Sequence, residues 1–140
     1  MTQTRRPGPL LAERGEDRQA IQRALNAILV QGDYTSLPEF ADSLARRLRK
    51  VRVHQVRRLF GEVQRIEMLR TRSPEDARRR LLMLRPRIAY QTARQKDLQP
   101  LKEMVDEAVP LVHEEMEERF ERFYELVEAV VAYHGAYGKD

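Results

Sequence analysis

The sequence predicts an all-α protein, a compact bundle of about five to seven helices. Three observations carry this. Apolar residues recur at three- and four-residue spacing along most of the chain, the signature of helices that bury one face. Serine and proline stand where helices would start, and glycine where one would end. No segment alternates long enough to make a strand, and no internal repeat or low-complexity run interrupts the pattern. The composition is 41% hydrophobic and 34% charged, too apolar for a disordered chain and too charged for a membrane one.

Taken in order, residues 1–15, MTQTRRPGPLLAERG, hold two prolines and two glycines and are expected to form a flexible leader. Residues 16–140 are expected to form a single helical domain. From Glu16, Ile21, Leu25, Ile28 and Leu29 share one helix face, and Gly32 is a plausible stop. Ser36 is placed as N-cap of a second helix, with Glu39 completing a capping box and Pro38 tolerated in the first turn. Leu37, Phe40, Ala41, Leu44 and Leu48 form its buried side. Lys50–Val53 reads as a junction too short to carry a sheet. A third helix runs from His54 on Val56, Leu59, Phe60, Val63 and Ile66. Ser73, Pro74 and Asp76 signal a fourth start, and Pro86 is expected to stop that helix near Leu84. A short helix then spans about Pro86 to Lys96. The rest, Leu98 to His134, is apolar on Leu101, Val105, Val109, Val112, Met116, Phe120, Phe123, Val127 and Val130. Pro110 is expected to break or kink it.

The formal net charge of +4 conceals an asymmetry. Residues 1–100 carry 22 Lys and Arg against 11 Asp and Glu, whereas residues 101–140 carry 4 against 11. The window 46–96 is strongly basic, 17 against 4. Almost all of this charge is arginine, whose planar guanidinium bonds phosphate in pairs and stacks on bases. A basic middle beside an acidic end points to a polyanionic partner. At about 100° per residue, His54, Arg57, Arg58, Gly61 and Arg65 fall opposite the apolar face of the third helix. Only Glu62 stands beside them, so the mixed-sign pairing of an ordinary solvated face is missing. Gly61 either lets a backbone or ribose come close or marks a tight helix contact. Arg78, Arg79 and Arg80 lie outside the Ala77/Leu81/Leu84 stripe. Arg87, Tyr90, Gln91 and Arg94 share another face, where guanidiniums flank an aromatic ring suited to stacking a base; the competing role for Tyr90 is core filling beside Ala89 and Ala93. The candidate residues for binding such a polyanion are Arg49, Lys50, Arg52, His54, Arg57, Arg58, Arg65, Arg79, Arg87 and Arg94. Glu114, Glu117, Glu118, Glu121, Glu125 and Glu128 form an acidic stripe that serves either solubility or docking to a basic face on a partner or another copy.

Signals of catalysis are missing. With no cysteine, disulfides, zinc thiolates and a cysteine nucleophile are excluded. His54, His113 and His134 sit on different elements without metal-ligand spacing and read as surface or boundary residues. The run HEE at 113–115 is not HExxH, because position 117 is Glu. Glycine-rich phosphate loops and GxSxG are absent, and Ser36 and Ser73 are used as caps. The Glu-x-x-His pairs of di-metal bundles are absent too. No enzyme activity, metal or cofactor is expected. No run reaches the roughly 20 apolar residues of a membrane span, and no apolar stretch follows the first arginines as in a secretory signal. A cytoplasmic location without membrane contact fits.

Three segments resemble one family. VRVHQVRRLFGEV (51–63) is similar to its K-I-x-x-S-Q-L-R-K signature, with Gln55, Arg57 and Arg58 in register. LLMLRPRIAYQTAR (81–94) resembles its L-x-x-L-K-P-K-L-A-Y-x-x-x-R stretch, and FERFYELVEAVVAYHGAYG (120–138) its F-x-x-F-x-x-x-x-E-A-x-V-A-Y-H ending. The family is the small subunit of the type III-A CRISPR effector, the Csm complex. His54 stands where it usually has Ser, and Val53 where it has Thr. The resemblance implies an all-helical, non-catalytic protein whose copies stack along the effector filament, facing other Csm subunits and flanking guide RNA paired to target RNA. It places Arg57, Arg58, Arg87 and Arg94 at the family's basic positions, and the ending from Glu128 through Tyr133 to His134 in core and inter-subunit packing. A generic helical nucleic-acid-binding regulator and a protein-only scaffold subunit are the competing classes.

Overall fold

Leu10–Leu25 forms the first helix, α1, and the computed structural model describes the chain from there to Asp140, with side chains from Arg18 onward. The helix thus begins six residues before the expected start at Glu16; the remainder of the expected leader, residues 1–9, lies outside the described residues. A single wide turn, Asn26–Val30, ends α1. Gly32 is the stop, at φ 75°, a conformation glycine adopts without the Cβ penalty. The carbonyls freed at this end are capped from afar: Arg122 Nη1 donates to Leu29 O at 2.9 Å and Val30 O at 3.4 Å.

α2 spans Leu37–Arg47, α3 Val53–Leu69, α4 Pro74–Arg94, α5 Gln99–Glu114 and α6 Met116–Tyr137, with a short 3₁₀ turn at Lys96–Leu98. Ser36 precedes α2 as expected but does not cap it. Its hydroxyl donates instead to Asp33 Oδ2 at 2.7 Å, and the Thr35 hydroxyl to Oδ1 at 2.6 Å. These bonds, Thr35's first, hold the Asp33 carboxyl below its ordinary value. Ser73 likewise sits at the N-cap of α4 without a side-chain cap bond. The reciprocal contact appears at α3, where Arg52 N–H donates to Gln55 Oε1 at 3.4 Å.

Both prolines behave differently from expectation. α4 runs unbroken through Pro86, so the separate short helix does not exist. Pro86 is exposed, as is Leu82, the residue four positions earlier whose carbonyl has no proline N–H to accept from. An interior proline costs about 3 kcal/mol; burying Leu81, Leu84 and Ile88 in one register returns roughly 1.5–3 kcal/mol each. The stripe wins. α5 likewise passes through exposed Pro110 on its buried Leu101, Met104, Val105, Ala108, Val109 and Val112. The break comes five residues later, at Glu115. There Arg119 Nη1 closes the end of α5 by donating to Leu111 O at 2.8 Å.

α6 packs against α2 and α3, and α4 against α3 and α5. Phe120 and Phe123 of α6 are fully buried in the shared core. Tyr124 meets Phe60 edge-on at 5.3 Å. Truncating either buried Phe to Ala would cost about 3–5 kcal/mol, a large part of a small domain's stability. His134 is a correction: it is 1% exposed, not a surface residue. Its Nε2–H donates to Leu48 O at 2.9 Å, tying α6 to the end of α2. Gly138 lies so close on the His134 ring that no Cβ fits between them. Nearby, Tyr137 donates to Asp42 at 2.6 Å, which raises the Tyr137 pKa. After that turn, Lys139 pairs by its backbone with Val51 and Val53, a single parallel bridge and the only extended pairing among the described residues.

Candidate nucleic-acid interface

α3 buries Val56, Leu59, Val63 and Ile66. Its 3.6-residue period therefore turns His54, Arg57, Arg58, Gly61 and Arg65 outward, and all are exposed. Arg57, Arg58 and Arg65 form no ion pair with any described residue, while Arg80 and Arg87 of α4 share Glu62 at 3.9 and 3.1 Å. A Cβ at Gly61 would meet nothing within 4 Å. The glycine is therefore not a helix-packing contact; it is a bare strip of backbone on the basic face.

Arg49, Lys50 and Arg52 lie exposed between α2 and α3, at the His54 end of the row. Arg49 Nη1 donates to Arg46 O at 3.3 Å, and Arg52 Nη1 to the Asp140 backbone oxygen at 2.5 Å. The bridge to Arg52 also brings exposed Lys139 to this cluster. Sequence spacing could not reveal that neighbour, which stands 87 positions away from Arg52 in an otherwise acidic segment.

α4 runs antiparallel to α3, with Gln55 at the start of one bonded to Gln95 after the end of the other at 3.2 Å. Arg79 is exposed and bonded to Asp76 at 2.7 Å. Arg85 pairs with Asp106 at 3.4 Å. Tyr90 is 65% exposed, so it does not fill the core; Arg94 lies over its ring at 5.7 Å. Between the two helices is a cleft of about 330 Å³. Leu59, Leu84, Pro86 and Ile88 line its apolar part, with Arg58, Glu62, Arg87, Tyr90 and Gln91 around them. The structure thus joins the α3 row to Arg87 and Tyr90 across one cleft. Arg79, paired within its own helix, takes no part in the cleft.

On α6, Glu117, Glu118, Glu125 and Glu128 are exposed and unpaired among the described residues. Glu114 and Glu121 bond Arg119 at 3.0 Å and Arg70 at 3.7 Å. Among the described residues no cluster of three or more His, Asp or Glu could hold a metal ion, and no helix is long and apolar enough to cross a membrane.

Fold and surface together define a small helical subunit with one arginine face and one glutamate face. Residues 31–140 match the family described as Csm2 Type III-A, and the chain belongs to that family. It is thus a small subunit of the type III-A CRISPR (Csm) complex, associated with the other Csm subunits. The matched span contains α2 to α6 and leaves α1 outside. No curated protein and no solved structure matches the chain.

Proposed function

We propose that this subunit binds guide and target RNA through phosphate and shape, without reading sequence, and that it has no catalytic activity of its own. The observation that carries this is the row Arg57, Arg58 and Arg65, exposed and without carboxylate partners among the described residues. Unpaired guanidiniums offer bidentate donors to phosphate, and phosphate carries no sequence information. Arg49, Lys50, Arg52 and His54 extend the row at one end, and Arg87 and Arg94 flank it across the cleft. Arg79 contributes less, because it must first leave Asp76. The protein works in the cytoplasm.

Further copies stack head to tail, the glutamate face of α6 against a basic face of the next molecule. The exposed and unpaired Glu117, Glu118, Glu125 and Glu128 support this, and a heterologous contact need not close on itself. Self-association of the isolated protein should weaken with salt. An assembly in which these glutamates face open solvent in every copy would contradict it.

The test of the RNA reading is binding of the isolated protein to single-stranded RNAs of unrelated sequence across a salt series. Equal affinities that fall steeply with salt are expected. A marked preference for a two-fold-symmetric sequence would favour a regulator instead. Failure to bind any RNA at low salt would leave the arginines to acidic protein partners. Incubation with labelled RNA and DNA in Mg²⁺ and Mn²⁺ should give no cleavage; cleavage abolished by a point mutation would contradict the non-catalytic role.

A further inference from the structure

We infer that the cleft between α3 and α4 is a binding pocket for a single unpaired nucleobase, stacked on Tyr90, of an RNA whose phosphates run along the α3 arginines. This rests on the RNA-binding reading above and adds a second kind of contact to it. Tyr90 is the anchor. Its ring is 65% exposed, although aromatic rings are among the largest sources of burial energy. Folding leaves that surface unused, and it borders a cleft with an apolar floor.

The dimensions select the occupant. A volume of about 330 Å³ lies at the small end of the roughly 300–1,000 Å³ typical of small-molecule pockets. An α-helix, roughly 10–12 Å across, does not enter it; one flat ring system does. The chemistry selects it further. Leu59, Leu84 and Ile88 offer an apolar surface, and Arg58, which has no ion pair among the described residues, stands beside them to hold the attached phosphate, while Arg87 on the opposite helix is held by Glu62 at 3.1 Å. Gln91 presents an amide that can donate or accept, so any base edge is served. Arg94, over the Tyr90 ring at 5.7 Å, braces it on the helix. Bases within a duplex hide their faces, so the ligand is a base displaced from pairing or in a single-stranded segment.

The test compares oligo(A) RNA with a chain of the same length carrying abasic riboses. Tyr90→Ala should weaken oligo(A) binding about tenfold, as loss of one aromatic–base stack does. It should leave the salt slope unchanged and have no effect on the abasic chain. Tyr90→Phe, which keeps the ring, should bind like wild type. Circular dichroism of each variant should be unchanged, because the side chain is exposed. Unchanged oligo(A) binding by Tyr90→Ala, while Arg57→Ala/Arg58→Ala weakens it, overturns the base pocket and leaves the phosphate reading standing. An equal loss on both chains, or a loss confined to association between protein molecules, also overturns the pocket. If wild type binds neither chain, both readings fall.

Discussion

α3 and α6 lie against each other, each burying one face in the same core, yet they use arginine in opposite ways. On α3, Arg57, Arg58 and Arg65 point to solvent with no ion pair among the described residues. On α6, Arg119 and Arg122 turn inward to cap the ends of α5 and α1, bonding Leu111 O and Leu29 O at 2.8 and 2.9 Å. What α6 leaves outside is glutamate. Carbonyls at a helix end lack intrahelical partners, and a cation there is favoured by the helix dipole. An arginine near such an end is claimed by the fold; one on a mid-helix face stays free only where no carboxylate is in reach. The same division explains α4, whose Arg79, Arg85 and Arg87 each hold a carboxylate and are less available than those of α3.

The largest effect should come from Arg57→Ala/Arg58→Ala/Arg65→Ala on α3. With one phosphate per arginine, RNA binding at 0.1 M salt should weaken about a hundredfold, read by fluorescence anisotropy, with helix content unchanged. Arg122→Ala on α6 should do the reverse. It loses charged hydrogen bonds to Leu29 O and Val30 O and should destabilise folding by about 1.5–3 kcal/mol in urea titration, without altering the RNA salt slope. Glu62→Gln would sharpen the comparison by making α4 resemble α3: it releases Arg80 and Arg87. One added phosphate contact should tighten RNA binding about fivefold at 0.1 M salt. The smallest effect belongs to Gly61→Ala. The new methyl group enters open space, and the helix should gain roughly 0.5–1 kcal/mol, visible as a raised melting temperature.

The helices and their buried stripes were legible in the sequence because local periodicity encodes them. Leu101, Val105, Val109, Val112, Met116, Phe120, Phe123, Val127 and Val130 are all buried as the spacing predicted. The prolines misled because their cost is local while the burial that outweighs it is tertiary. Ser36 was misassigned for a different, local reason: Asp33, three residues earlier, competes for its hydroxyl. His134 looked like a boundary residue because its partner, Leu48 O, is 86 positions away. Within the candidate site, the α3 row was readable from helical phase alone. The pairing of Arg87 with Glu62, the exposure of Tyr90 and the arrival of Lys139 beside Arg52 depend on how elements meet. One hint of the capping role was present: two arginines in a helix otherwise rich in glutamate.

The most direct test is the salt dependence of single-stranded RNA binding for three proteins: wild type, the α3 triple variant, and Arg79→Ala/Arg85→Ala/Arg87→Ala on α4. Circular dichroism serves as the folding control. At about 0.7 per phosphate contact, the log–log slope should fall by about 2 for the α3 variant and by less than about 0.7 for the α4 variant. An unchanged slope in a folded α3 variant, or an equal fall in both, would contradict the assignment of the RNA backbone to the α3 face.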